Sequence, residues 1–288
     1  MEKTSFKQSL FKLIKKKSVI ITAVVLAVAI SIPLILRAGI QVAAATYKTW
    51  SPDYDKVDIS FVLDREEFTD EEYDLLFEQT GLTRIGIDDF VKEGKQNEIL
   101  RIQRYFFEEP DYYCNIFHFC FGMFTKSYGR YPNAILEDGD IIYSPSTYIS
   151  FVELAHSAIV TDGERGIIAE AYGYGTNLDT CTASSFFVYP AFVILRPKAT
   201  AELRGEVADY VTENMIDTPY DILTGIFGKK APENLKTTHC SHLPWYAYNK
   251  FGIDLDSNGG KIVTPKDILN SPYLEVVQVF GIDIEEFR

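Results

Sequence analysis

Histidine and cysteine are scarce in this chain, each occurring four times among 288 residues. Because these side chains supply many of the nucleophiles, bases and soft metal ligands of proteins, such chemistry must be concentrated at a few positions. The sequence also lacks internal repeats, a glycine-rich phosphate-binding loop and low-complexity tracts. These absences argue against a solenoid, a P-loop nucleotide-binding protein and a disordered stalk.

Basic residues are also few, with 28 lysines and arginines against 41 aspartates and glutamates, for a formal net charge of −13. Residues 1–40 contain seven basic residues and one acidic residue, a net charge of +6, so the rest of the chain carries −19. Such an acidic balance argues against binding to nucleic acid and against docking on anionic lipid. With 47% hydrophobic residues in the chain, the acidic part can still bury a sizeable core.

No charged residue occurs between positions 19 and 36, and six lysines precede this segment. Its 18 residues come close to spanning a bilayer as a helix, and the apolar core of a cleaved signal is usually shorter. Because lysines favour the cytoplasmic side, we expect a cytoplasmic basic tail (1–17), a transmembrane signal anchor (18–40) and a cell-membrane protein whose remainder lies outside. The alternative is cleavage after Ala43-Ala44-Ala45, which would end a signal peptide at about residue 45 and leave a secreted protein.

The segment TTHCSHLPWYAY, residues 237–248, combines a cysteine with a helix start. Pro244 has no backbone donor and is tolerated only where a helix leaves its amides unpaired, so the helix is predicted to begin at about residues 240–243. Gly252 is typical of its end. Cys240 then lies at the amino end of the helix, where unpaired amides and the helix dipole stabilise a thiolate.

Two adjoining runs, ELAHSAIVTD and GIIAEAY, are predicted to be strands joined by a turn. With a loop of three or five residues, position 162 pairs with 166 and position 158 with 170, so that Glu170 lies diagonal to His156 on one face. A loop of even length would break this geometry. In the odd case the carboxylate would fix the tautomer of the imidazole, as the third member of a cysteine or serine triad does.

These residues belong to an ordered set of motifs: LEDGDIIYS, LAHSAIV, IIAEAYG, DTPYDIL, HCSHLPWYAY and VTPKDIL, over roughly residues 135–275. The set resembles the circularly permuted branch of the NlpC-type papain-like cysteine hydrolases, the YiiX/YebB-like group, in which the histidine and the acid precede the cysteine. The resemblance implies a permuted papain-like domain over residues 129–288, with an antiparallel sheet packed against the nucleophile helix. It also implies that Cys240 is the nucleophile, His156 the base and Glu170 the orienting acid.

The same resemblance suggests that Tyr220 lines the substrate site, although Asp217-Thr218-Pro219 stands where relatives often have a glycine before the Pro-Tyr pair. It implies a cysteine hydrolase of the peptidase or amidase type that forms an acyl-enzyme on amide or ester substrates, without metal or cofactor. Cell-wall peptide amides are the leading substrate class. The alternatives are a lipid-acting acyltransferase or thioesterase, since the family includes enzymes that act on lipid-linked acyl groups, and a surface binding module without turnover.

Two other interpretations of the cysteine segment stay open. A free cysteine is most often a small buried apolar residue, which would make Cys240 structural. His239, Cys240 and His242 are also zinc-type ligands. Adjacent residues point in different directions, however, and no second cysteine pair follows.

The remaining pattern predicts an α+β protein. Residues 47–128 are expected to form a small helical region that begins with a capping box at Thr69 and Glu72. The apolar run 112–124 is expected to be a buried helix, too short to span a membrane, with His118 packed inside. A helix would place Cys114 and Cys120 on different faces, so we expect all four cysteines, with Cys181 and Cys240, to be thiols. Further elements are expected at 140–143, 152–161, 166–172 and 186–195 (strands), 200–214 (helix) and 276–280 (strand).

Overall fold

The computed structural model describes residues 2–65, 67–108, 111–117, 120–126, 132–149 and 152–287. They form an α+β architecture with two antiparallel sheets, which confirms the predicted class. The helices are α1 (Glu2–Thr46), α2 (Ser60–Leu63), α3 (Asp70–Thr80), α4 (Arg84–Lys92), α5 (Gln96–Phe106), α6 (Ala201–Asn214), α7 (His242–Lys250) and α8 (Pro265–Leu269). The strands are β1 (Tyr112–Phe117), β2 (Cys120–Thr125), β3 (Ile141–Ser144), β4 (Thr147–Ile149), β5 (Val152–Glu153), β6 (His156–Asp162), β7 (Ile167–Glu170), β8 (Asp179–Thr182), β9 (Phe192–Pro197) and β10 (Leu274–Phe280).

The larger sheet has six strands in the order β10-β9-β3-β6-β7-β8, and every neighbouring pair is antiparallel. All residues of the inner strands β3 and β9 are buried, and helices pack against the strands beside them, α6 and α7 on β6 and α4 on β10. This explains their continuous apolar runs in place of a strict alternation. Helices α6 and α7 both pack against β6 and against each other, so the predicted nucleophile helix lies on the strand that carries His156.

Helix α7 begins and ends as the sequence predicts. Its first residue is His242, so Pro244 occupies the first turn, where its missing N–H costs no hydrogen bond. Phe251 caps the carboxyl end, and Gly252 follows with φ 83°, a left-handed conformation that glycine adopts without strain. All residues from His242 to Tyr248 are buried, so the helix is embedded in the domain.

The predicted helical region before the large sheet contains α3, α4 and α5. The capping box of α3 is complete: the Thr69 hydroxyl accepts from the Glu72 amide, and the Glu72 carboxylate accepts from the Thr69 amide. Gly81 ends this helix with φ 69°. A Cβ at Gly81 would lie 2.0 Å from the carbonyl oxygen of Val279 in β10, so this helix end can approach the large sheet only with glycine.

The expected buried helix over residues 112–124 is wrong, because this run forms the hairpin β1–β2. Tyr112 and Cys114 turn to one side and pack against the end of α1, whereas Tyr113 between them is 45% exposed, so the period is two rather than 3.6. Aromatic side chains favour such a half-buried pleated surface. Among its described residues, the region 47–128 is therefore helical only as far as Phe106. His118 lies outside the described residues.

The hairpin belongs to a second sheet, in the order β1-β2-β4-β5, which uses chain from both sides of position 129. Its pairing partners β4 and β5 come from the segment that was expected to start the next domain. Strands β4 and β8 were not predicted, and the predicted strand over 152–161 is divided into β5 and β6 by a turn at Leu154 and Ala155. The chain passes from the small sheet to the large sheet at that turn.

Helix α1 continues through the apolar segment without a break, including Pro33. The most apolar 18-residue window of residues 17–46 has a mean hydropathy of 2.9, and a 30-residue helix is about 45 Å long, enough to cross a membrane or to act as a signal sequence. The helix extends past residue 40, where the anchor was expected to end. Its last turns contact the hairpin: Ile40 is 5% exposed beside Met123, and the Tyr112 hydroxyl donates to the carbonyl oxygen of Tyr47 at 2.8 Å.

A buried ion cluster connects the helical region to the large sheet. Asp140, fully buried before β3, accepts from Nε and Nη2 of Arg196 in β9 at 2.9 and 2.8 Å. Nη1 of Arg196 donates to Asp89 of α4 at 2.6 Å. Burial raises the pKa of Asp140, and the guanidinium beside it acts in the opposite direction. Removal of the Asp140 charge would take from the buried Arg196 the carboxylate that accepts two of its hydrogen bonds and would leave only its pairs with Asp89 and Glu137.

We therefore expect Asp140→Asn to lower the free energy of unfolding by about 3 kcal/mol, because Arg196 loses the carboxylate that compensates its burial. Glu98→Gln is the matched control: Glu98 pairs with Arg101 at 2.8 Å, and about half of each side chain is exposed. Its loss should stay below about 1 kcal/mol. Thermal unfolding of the purified protein measures both, and equal losses would contradict this account of the cluster.

Candidate active site

Cys240 lies two residues before the first helical residue of α7, as the sequence predicts. The segment that leads to it is held by Thr238, whose amide donates to the carbonyl oxygen of Pro219 at 3.0 Å and whose carbonyl accepts from Asp221 at 2.8 Å. Ser241, the N-cap of α7, donates from Oγ to the carbonyl oxygen of Val263 at 2.8 Å. Among the described residues, the amides of Cys240 and Ser241 have no protein acceptor, so they can donate to an anion at this helix start.

His156 is the first residue of β6 and pairs with Ser144 at the end of β3. Ala155 before it has φ 57°, a left-handed conformation that costs a residue with a Cβ about 1 kcal/mol or more. The conformation occurs at the turn between the two sheets and sets the direction in which β6 begins. Strained backbone of this kind is concentrated at functional sites.

Glu170 reaches His156 across the hairpin β6–β7. Nε2 of His156 is 2.6 Å from Oε1 of Glu170, so the predicted proximity of the two side chains is found. The loop between Asp162 and Ile167 has four residues, an even number, and pairs 162 with 167 rather than with 166. A bulge at Thr161 restores the register, because Val160 pairs with Ile168 and Ile159 with Ala169. The expectation that an even loop breaks the geometry is therefore wrong.

The electrostatics of the site favour a thiolate and an imidazolium. Burial alone raises the pKa of the Cys240 thiol, but the neighbouring His156 and His239 outweigh it and lower this pKa to about 5. Burial alone would lower the pKa of His156, but its contacts with Cys240 and Glu170 raise it to about 10. Since Glu170 occupies Nε2 of His156, Nδ1 is the nitrogen left for the sulfur. Near neutral pH the pair is therefore ionised.

Aromatic rings enclose the imidazole of His156. Phe186 stacks on it with ring centroids 5.5 Å apart and planes 13° from parallel, and Tyr189 and Tyr172 approach edge-on at 6.1 and 6.2 Å. Burial, followed by the nearby Glu170 and other anionic groups, raises the pKa of Tyr189 well above its usual value, so this hydroxyl stays protonated. Residues 186–189 precede β9, contrary to the predicted strand from 186, and this irregular backbone brings Phe186 and Tyr189 to the histidine.

Two residues at the site were missed as participants by the sequence analysis. Cys181 of β8 lies beside Glu170, with Sγ 3.5 Å from Oε2, and accepts a hydrogen bond from the Ser185 hydroxyl at 3.2 Å. His239 was considered only as a zinc ligand, yet it is 3% exposed and contributes to the lowered pKa of Cys240. The one feature of the sequence that could have indicated a role for His239 at the site was its position directly before Cys240.

The zinc interpretation is disfavoured by the contacts of His242. Nδ1 of His242 is 3.1 Å from the Thr238 hydroxyl, and Nε2 is 2.8 Å from the carbonyl oxygen of Lys230, so both nitrogens are engaged. Burial lowers the pKa of this histidine to about 4. The described residues contain no group of three metal-type ligands, and His239 and Cys240 alone are too few for a structural zinc site.

Tyr220 lies beside the segment that carries the cysteine. It forms an isolated parallel bridge with Thr238, and its amide donates to the carbonyl oxygen of Thr176 at 3.0 Å. Asp217 before it has φ 67°, a left-handed conformation that aspartate tolerates better than most residues with a Cβ. The role of Tyr220 in substrate binding stays a prediction.

Cys114, Cys181 and Cys240 are free thiols, as expected, whereas the side chain of Cys120 lies outside the described residues. Cys240 is 8% exposed and His156 5%, so the site is nearly closed in this conformation. A cavity of about 580 Å³ lies elsewhere, and its lining includes Tyr47, Lys48 and Trp50 at the end of α1. Its lining includes none of the triad residues.

No protein-family model, curated protein or solved structure matches this chain. The roles of Cys240, His156 and Glu170 are therefore argued from their geometry and from the motifs of the sequence.

The lowered pKa of Cys240 makes its alkylation a direct test of the ion pair. In the wild type, labelling by iodoacetamide should reach half its maximal rate near pH 5, because the thiolate is already formed there. In His156→Ala, the Cys240 thiol loses one of the two histidines that lower its pKa against the effect of burial. A return of this pKa to the ordinary value of about 8.5 would slow labelling at pH 6.5 about a hundredfold.

Peptide mapping by mass spectrometry gives the rate at each cysteine of the same sample. Cys181 is the internal control, because burial raises the pKa of its thiol to about 11 and it should label slowly at both pH values. A Cys240 profile like that of an ordinary thiol in both proteins would show that the ion pair does not form.

Proposed function

We propose that this chain is a membrane-anchored cysteine hydrolase with a permuted papain-like domain outside the membrane. The observation that carries the proposal is the buried pair of Cys240 and His156, with Glu170 at 2.6 Å from the second nitrogen of the imidazole. Acyl transfer through a thiol requires a nucleophile beside a base, and an acid that orients this base from its other nitrogen. The chain order of histidine, acid and cysteine supports the permuted family.

The reaction follows from the protonation state of the pair. The Cys240 thiolate attacks the carbonyl carbon of an amide or ester, a C–S bond forms, and the π electrons of the carbonyl move to its oxygen. On collapse, the C–N or C–O bond breaks and the His156 imidazolium gives its proton to the leaving group. Water then attacks the thioester while His156 accepts a proton from it, which releases the acid and restores the thiolate. Glu170 holds the imidazole in the required tautomer and stabilises its cation.

Cell-wall peptide amides are the substrate class that the motifs support best, since the NlpC-type hydrolases that the chain resembles act on them. The location outside the membrane fits this class. A charge of −19 beyond residue 40 would also attract substrates with free amino groups rather than anionic polymers.

Lipid-linked acyl groups are the second candidate, and the attachment of the domain to α1 favours them. Ile40, Ala43 and Tyr47 pack against the hairpin β1–β2, so the domain is held close to the end of the apolar helix rather than on a long free linker. The cavity beside Tyr47, Lys48 and Trp50 adds aromatic and basic residues of the kind found at membrane interfaces. A thioesterase or acyltransferase would use the same thiolate.

The function is tested by turnover of purified protein on muropeptides and, separately, on phospholipid and thioester substrates. Cys240→Ser should abolish turnover on the true substrate, because a serine hydroxyl beside His156 remains protonated where the thiol is ionised. Cys114→Ser is the matched control and should retain activity, since Cys114 packs against the end of α1. If one of these compounds binds equally to the wild type and to Cys240→Ser and neither protein turns it over, the chain is a binding module instead.

The packing of α1 against the hairpin also favours a retained anchor over a cleaved signal. Cleavage near residue 45 would cut a continuous helix and remove Ile40 and Ala43 from contact with Met123. We therefore expect protease added outside intact cells to degrade the domain beyond residue 47 while the protein fractionates with membranes. Permeabilised cells are the control for the accessibility of the tail. Recovery of a soluble form that begins near Thr46 would establish cleavage.

A further inference from the structure

We infer that His239 is a second catalytic histidine, whose Nε2–H donates a hydrogen bond to the carbonyl oxygen of the substrate as that oxygen becomes negative. The inference rests on the proposed acyl transfer at Cys240 and assigns the donor that stabilises its oxyanion.

The contacts of Nδ1 fix the tautomer of His239. Nδ1 accepts from the backbone amide of His242 at 3.3 Å and lies 3.3 Å from the hydroxyl of Ser241. A backbone amide can only donate, so Nδ1 carries no proton in this arrangement. The proton of the neutral ring is therefore on Nε2.

This Nε2–H is buried and lacks an acceptor. His239 is 3% exposed, and Nε2 makes no hydrogen bond of ordinary geometry to any atom of the described residues. Buried polar groups without a partner are rare in native proteins and call for an explanation. The imidazole nevertheless acts on the neighbouring sulfur, because His239 is one of the groups that lower the pKa of Cys240. His239 directly precedes Cys240 in the chain, and its unpartnered Nε2–H is left for a group that arrives with the substrate.

The surroundings of the two histidines separate their roles. His156 has a carboxylate on its second nitrogen and can carry the cation that proton transfer requires. The partners of Nδ1 in His239 are a backbone amide and a hydroxyl, which orient the ring without compensating a charge. His239 therefore suits a fixed donor better than a general base.

A second donor is available at the same place. The amide of Cys240 has no protein acceptor among the described residues, and it lies at the start of α7, where the helix dipole favours negative charge. In the inferred arrangement, the carbonyl oxygen lies between this amide and the imidazole of His239 once Sγ bonds to the carbonyl carbon. Two preorganised donors aimed at the developing charge form an oxyanion hole.

Two substitutions separate the two nitrogens of the ring. His239→Asn places an amide near the position of Nδ1, so its oxygen can still accept from His242, but it removes the donor at Nε2. His239→Gln places an amide N–H near the position of Nε2 and gives up the Nδ1 acceptor. A structural role for His239 would make Gln the more harmful change, whereas an oxyanion donor makes Asn the more harmful one.

Two probes of the full-length protein at pH 8 separate the thiolate from the oxyanion. Iodoacetamide alkylates the sulfur by displacement of iodide and forms no oxyanion. p-Nitrophenyl acetate acylates the same sulfur through a tetrahedral oxyanion: the C–S bond forms, the ester C–O bond then breaks, and one p-nitrophenolate is released for each acylated Cys240. The ratio of the two rates at Cys240, corrected with Cys240→Ser, is independent of the fraction of protein that is folded.

We expect His239→Asn to lower the ratio of acylation to alkylation about a hundredfold, the effect of the loss of one oxyanion donor, and His239→Gln to keep it within about tenfold of the wild type. An unchanged ratio in His239→Asn would overturn the inference, as would an equal loss in both variants. If wild-type Cys240 reacts with both probes as an ordinary thiol does, the proposed hydrolase itself fails. That outcome is distinct, because it appears before any substitution at His239.

Discussion

A charged pair inside a nearly closed site is the interaction on which the rest of this structure depends. Burial alone would disfavour both a thiolate at Cys240 and an imidazolium at His156. Each ion is stabilised by the other, and Glu170 provides a second negative charge that holds the imidazole from behind. The large sheet supplies the histidine and the acid, and α7 supplies the sulfur. The packing of α7 against β6 is what brings the two halves of the site together.

Local sequence signals predicted the parts of the fold that are determined locally. Pro244 and Gly252 bounded α7 because each restricts the backbone by its own chemistry, and Thr69 with Glu72 located the start of α3. The hairpin β1–β2 was mistaken for a helix because the alternation of its side chains is not visible in the apolar run itself. It becomes visible only in the contacts of the hairpin with the end of α1 and with β4, which are distant in sequence. Strand β8 was missed because DTCT has little apolar content. Among the described residues, it forms an edge of the sheet that pairs only with β7.

The candidate site was predictable to the extent that pairing follows from register. Alternation along ELAHSAIVTD and GIIAEAY was enough to bring Glu170 to His156, because side chains two residues apart share a face. The rings around the histidine could not be predicted, since Phe186 and Tyr189 reach it through irregular backbone before β9. From the sequence, His239 was considered only as a possible metal ligand, because its neighbours in sequence are metal-type ligands, and that interpretation was not favoured. Only the contacts of its two nitrogens distinguish a donor from a ligand.

Because of the bulge at Thr161, the length of the turn at one end of the hairpin does not determine the alignment at the other end, where His156 and Glu170 meet. A four-residue loop with a bulge and an odd loop without one lead to the same pairing of Ile159 with Ala169. During divergence, an insertion or deletion of one residue in this turn can therefore be absorbed by the gain or loss of the bulge, far from the imidazole. The hairpin can vary in length at its tip while the histidine and its carboxylate stay opposite each other.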